Sequence, residues 1–111
     1  MLLLSPSTKE LLVGFRFTDT IDTPRPSKQP SNRSGIFTIL KCMGIKSGDE
    51  VLITGFTCSA VPEPILLLGA TPKYLDISLD NYSADPMQIE DKITRNTKIL
   101  IIQHTFGIAG N

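Results

Sequence analysis

Hydrophobic positions divide the chain into two parts. From residue 35 onward the apolar positions are regularly spaced, and before that they are not. Ile36, Ile39, Leu40 and Met43 fall at i, i+3, i+4 and i+7, one face of a helix that Gly44 is placed to end. Lys46-Ser47-Gly48-Asp49 reads as a turn, and Val51-Leu52-Ile53 as a short buried strand. Ala60 to Leu68 is apolar and long enough for a helix closed by Gly69, with Pro62 and Pro64 in its first turn, where a missing donor costs least. Lys73 to Ile77 is a second strand. Asp85-Pro86-Met87-Gln88 is a helix start: a capping aspartate, a proline at the first helical position, and a glutamine that can reach back as in a capping box. That helix should run to about Ile93. Lys98 to Ile102 is the clearest strand. Helices alternating with continuously apolar strands predict an α/β fold, a partial parallel sheet in a three-layer arrangement.

The first 30 residues are expected to form an irregular N-terminal arm. Thr8 to Val13 is a short helix candidate. Residues 18–31 carry Pro24, Pro26 and Pro30 and few groups to bury, and read as an exposed linker. The domain proper is expected over 31–111. Three parallel strands bury little surface, so the pattern looks like the opening part of a larger domain.

Composition narrows the function classes. The chain has 111 residues, with 41% hydrophobic and 20% charged, an ordinary globular balance. Eleven basic and 11 acidic residues cancel. No large positive field draws the chain to nucleic acid or to an anionic membrane, and neither is an expected partner. No apolar run approaches a membrane span, and Met1 to Leu4 is too short for a signal-peptide core. The cytoplasm is the expected compartment. Cys42, Cys58 and His104 show no metal-ligand spacing, and no metal site is expected. Cys42 reads as a packing residue and Cys58 as a small buried one. Asp76, Asp80 and Asp85 read as solvated loop acids.

In α/β folds ligands sit beyond the carboxyl ends of the parallel strands. The segments to watch are therefore 54–59, 78–83 and 103–111. Ser31-Asn32-Arg33-Ser34-Gly35, before the first helix, also matters. A helix start offers unpaired donors and partial positive charge to a phosphate. On pattern alone these residues more often just cap the helix. No nucleophile–base pair is visible.

Several segments, in order, resemble one enzyme family. Ser31-Asn32-Arg33-Ser34-Gly35-Ile36 is similar to an SGRSAL or SGTAAL helix start, and Gly44 to Val51 to an LGI-x-PGDEV turn. Phe56-Thr57-Cys58 is similar to an FTF or FTC segment. Gly69-Ala70-Thr71-Pro72 followed by Leu75-Asp76-Ile77 is similar to a GA-x-P-x-FVDI run. Tyr82, Asp85-Pro86, Ile89-Glu90, Ile93-Thr94 and finally Gln103-His104-Thr105-Phe106-Gly107, similar to an H-x-[YF]-G loop, continue the series. Together they resemble the start of the DegT/StrS-type sugar aminotransferases, enzymes of the aspartate-aminotransferase fold (fold type I) that depend on pyridoxal 5'-phosphate.

The resemblance implies specific roles. Backbone donors at Asn32, Arg33 and Ser34 would hold the cofactor phosphate. Cys58 occupies the position where the family often stacks an aromatic ring on the cofactor, and a sulfur face can pack there. Asn32 replaces a glycine and tolerates left-handed backbone angles. The implied substrates are a nucleotide-linked keto sugar and an amino donor such as glutamate, in cell-surface sugar biosynthesis, with a homodimer in the complete enzyme. The family's Schiff-base lysine and pyridine-binding aspartate have no counterpart among these residues. The chain by itself is therefore expected to be an inactive N-terminal fragment, with no catalytic residue of its own. A small non-catalytic binding module and one half of a split enzyme are the alternatives.

Overall fold

The computed structural model describes residues 2–4, 13–14 and 32–108. Its elements are β1 (Leu2–Leu4), β2 (Val13–Gly14), α1 (Asn32–Cys42), β3 (Glu50–Thr54), α2 (Pro62–Leu67), β4 (Thr71–Leu75), α3 (Pro86–Lys92) and β5 (Thr97–Ile102). The strands form one sheet in the order β2-β1-β5-β3-β4. β3 lies at the centre of the parallel part, between β4 and β5.

The period of two in a strand sends neighbouring side chains to opposite faces. Val51, Ile53, Ile99 and Ile101 point to one face and pack with Ile36 and Leu40 of α1 and with Val61 and Ile65 at α2. Leu52 and Leu100 point to the other face and meet Leu75, Ala84 and Ile89 of α3. Both faces are covered, which is why these strands read as unbroken apolar runs. The result is the expected three-layer α/β arrangement.

Helix ends follow local chemistry. Gly44 adopts φ +78°, and the Ile45 amide donates to the Leu40 carbonyl, closing α1 where expected. α2 begins on Pro62 and holds Pro64 within its first turn. Asp85 caps α3, accepting from the Met87 amide at 3.0 Å. Gln88 does not complete a capping box: its Oε1 accepts instead from the Asp76 amide at 3.2 Å, tying α3 to the end of β4. β4 itself starts two residues earlier than its apolar pattern suggests. It includes Pro72, tolerated because β4 is the edge of the sheet.

The largest difference from the sequence pattern lies at the start. Leu2–Leu4 pairs antiparallel with β5, Leu3 opposite Ile101, and Val13–Gly14 pairs with β1. Part of the expected irregular arm is therefore sheet, and Val13 is strand rather than helix end. The rest of the proposed helix at 8–13, and the linker at 18–31, lie outside the described residues. Among the described residues, no helix is long and apolar enough to cross a membrane.

Glu50 fastens the amino-terminal end of the sheet. Its carboxylate accepts from the Thr94 hydroxyl at 2.5 Å and the Thr97 hydroxyl at 3.3 Å, and pairs with Lys73 Nζ at 3.1 Å. The Thr94 hydroxyl above all, helped by Lys73 and Thr97 and opposed by desolvation, holds this carboxyl below its ordinary value of 4.5. A carboxyl depressed in the folded state stabilises the fold above its unfolded value. That contribution is lost as pH falls through the lower, folded value. Urea midpoints measured from neutral pH downward should therefore decline in the acid range, and Glu50→Gln should flatten that part of the decline.

Candidate functional site

α1 packs beside α2, and their first turns meet. The contact is explicit: Arg33 Nε lies 2.6 Å from a Glu63 carboxylate oxygen, joining the first turns of α1 and α2. Between β3 and α2 the chain turns tightly. The Val61 amide donates to the Cys58 carbonyl, and the Glu63 amide to the Ser59 carbonyl. The segment carrying Cys58 thus leads from the carboxyl end of β3 into the first turn of α2, the turn that Arg33 of α1 touches. Parallel α/β sheets present their ligand sites at the carboxyl ends of their strands.

The four sequence candidates are placed as follows. Asn32, Arg33 and Ser34 are the first three residues of α1, inside the helix rather than in a loop before it. Asn32 is not among the described residues with positive φ, so the position does not use asparagine's left-handed tolerance. The first-turn amides of such a helix have no partner within it and carry the positive end of the macrodipole. A side chain at Gly35 would meet no described atom within 4 Å. Cys58 is an exposed free thiol, not a buried one, and Cys42 is likewise exposed at the end of α1. Cys42 is the last residue of α1 and Cys58 lies in the loop between β3 and α2, so neither is carried into the core.

Two further residues were not legible beforehand. Thr57 Oγ1 is the one buried side-chain polar atom among the described residues without a hydrogen-bond partner. Such atoms are rare, and one next to Cys58 suits a site that receives a polar ligand. Glu63 is the other. Its carboxylate neutralises Arg33, so an anion at the α1 start would be held chiefly by backbone donors and the helix dipole. Neither residue carries a motif. The Arg33–Glu63 pair comes from the meeting of α1 and α2.

Residues 30–111 match the model of the DegT/DnrJ/EryC1/StrS aminotransferase family. The chain belongs to that family. It is 43% identical over 105 residues to the UDP-2-acetamido-2-deoxy-3-oxo-D-glucuronate aminotransferase of Pseudomonas aeruginosa, covering 95% of this chain and 29% of that protein. It is 36% identical over 69 residues to the dTDP-3-amino-3,6-dideoxy-alpha-D-galactopyranose transaminase of Aneurinibacillus thermoaerophilus, covering 62% of this chain and 19% of that one. The crystal structure of NtdA from Bacillus subtilis with bound cofactor PMP superposes with a TM-score of 0.69 at 31% identity, over 72% of this chain and 18% of that one. The chain thus spans less than a third of the length of these relatives. The family match begins two residues before α1 and takes in every element from α1 to β5.

Proposed function

We propose that this chain supplies the cofactor-phosphate end of a pyridoxal-phosphate-dependent aminotransferase that acts on nucleotide-linked keto sugars. The observation that carries the reading is the family match over 30–111, together with the Arg33–Glu63 pair that holds the start of α1 at the start of the helix following the Cys58 loop. The amides of Asn32, Arg33 and Ser34 bind the phosphate. Cys58 packs its sulfur against the pyridine ring, and the unpaired Thr57 hydroxyl offers one more hydrogen bond. When bound, the cofactor acts as the electron sink for amino-group transfer. These residues bind and orient. None of the four site positions is a base, and the lysine and aspartate that the reaction needs come from elsewhere in the complete enzyme.

The substrate class follows from the UDP- and dTDP-sugar relatives, and glutamate suits the role of amino donor. The complete enzyme is proposed to be a homodimer in the cytoplasm, a reducing compartment that suits the free Cys42 and Cys58.

The test is an exchange of segments. Residues 30–111 replace the matching segment of the Pseudomonas aeruginosa relative, and the chimera is assayed for retained cofactor and for transamination. Activity within about tenfold of the parent, a barrier change of about 1.4 kcal/mol, is the expected result. A folded chimera that holds no cofactor would overturn the proposal.

A further inference from the structure

The sheet mixes two pairing patterns. β3 runs parallel to β4 on one side and to β5 on the other. β1 lies antiparallel on the far edge of β5, and β2 lies antiparallel on β1. The register sets Leu2 opposite Ile102, Leu3 opposite Ile101 and Leu4 opposite Leu100. β1 therefore covers the last three of the six residues of β5.

Chain order indicates what else belongs on that edge. From β3 the chain adds β4 on one side, then crosses back past β3 to place β5 on the other. Doubly wound sheets reverse their strand order in this way at a switch point, and the following parallel strands are laid outward in the new direction. The next parallel strand of a complete domain thus falls on the free edge of β5, the edge that β1 holds. A backbone group on that edge gives its ladder bond to one neighbour or to the other. The two strands exclude each other.

The flanks of the parallel part differ accordingly. β4 carries Pro72 and is exposed or half-buried at every position but Leu75, as suits a sheet margin. β5 carries no proline, and its buried Ile99, Leu100 and Ile101 fill both faces of the sheet. That is the pattern of an interior strand. Left bare, its edge would be a template for pairing with another chain. The cover comes from Leu2–Leu4, well before residue 30, where the family match begins.

We infer that β1 is a temporary cap on β5, which shields the edge in this chain and gives way to the next parallel strand when the complete domain forms. The inference rests on the reading that this chain is part of a complete aminotransferase. β1 has three residues, whereas an ordinary strand has about five or six. The longer strand displaces the shorter because it makes more ladder bonds and, with its crossover helix, buries more apolar surface.

The test is hydrogen exchange, read by mass spectrometry, on two proteins. One is the 111-residue chain. The other is a long chimera, in which residues 1–111 replace the Pseudomonas aeruginosa relative up to the end of the matched segment. The peptide carrying Leu2–Leu4 should be protected in the chain alone and should exchange about tenfold faster, or more, in the long chimera. The peptide carrying Leu100–Ile102 should be protected in both. Leu3→Pro breaks the ladder of β1. It should speed exchange at Leu100–Ile102 in the chain alone and leave it unchanged in the long chimera. Equal protection of Leu2–Leu4 in both proteins overturns the inference, because β1 then keeps its place. Unprotected Leu2–Leu4 in the 111-residue chain overturns it as well, because β1 then caps nothing. The chimera with residues 30–111 lacks β1, so its cofactor retention tests the aminotransferase reading alone. If that chimera holds cofactor and the long one does not, β1 blocks the edge instead of yielding it, and only the present inference falls.

Discussion

Ser34→Asp, introduced into the aminotransferase chimera, is expected to weaken binding of the cofactor phosphate roughly a hundredfold, because like charges brought together in a site cost several kcal/mol. Ser34 is the third residue of α1. A carboxylate there competes for the same amides that would hold the phosphate. The sign on stability is opposite. An acidic side chain in the first turn of a helix favours the macrodipole and contributes about 0.3–1 kcal/mol, so the thermal midpoint of the cofactor-free chimera should hold or rise. Loss of cofactor with an intact or raised midpoint in the cofactor-free state separates a binding defect from a folding defect. Unchanged cofactor affinity would mean that the phosphate is not held at the start of α1.

The second large effect concerns the sheet. Ile53→Ala should cost about 2–5 kcal/mol, a large part of the stability of a small domain. Ile53 is fully buried in β3, the strand flanked by parallel neighbours on both sides, and packs in the cluster shared with α1 and α2. Truncation there opens a gap in that cluster, and the closely packed interior cannot close over it. Urea unfolding is the measurement, with a shifted midpoint at constant slope as the expected form. Leu67→Ala is the control. Leu67 is 71% exposed at the end of α2, and its change should stay within about 0.5 kcal/mol.

Local signals were legible where one segment decided its own structure. Gly44 ended α1 because the turn required a positive φ, and Asp85 capped α3 because its carboxylate reaches an amide two residues away. β3 and β5 were legible because burial on both faces leaves an unbroken apolar run. Gln88 was read as a capping partner, but the Asp76 amide at the end of β4 offered it a different donor, twelve residues away. Cys58 was read as buried from its size and polarity, yet its exposure depends on where the loop leaves the core. The three leucines of β1 carry no alternation and no turn signal. Their pairing with β5 follows from an open sheet edge that local patterning does not reveal.

What the sequence determined alone is the order of elements from α1 to β5, the two-faced burial of β3 and β5 and, through its ordered motifs, the family. These depend on periodicity and on turn chemistry, which act over a few residues. Tertiary structure alone decided that Arg33 is neutralised by Glu63, that Thr57 keeps an unpaired buried hydroxyl, and that Phe56, Tyr82 and Phe106 converge. Each of these relations joins separate loops or helices. Parallel strands with crossovers carry such groups to one end of the sheet, and spacing along the chain holds no record of that distance.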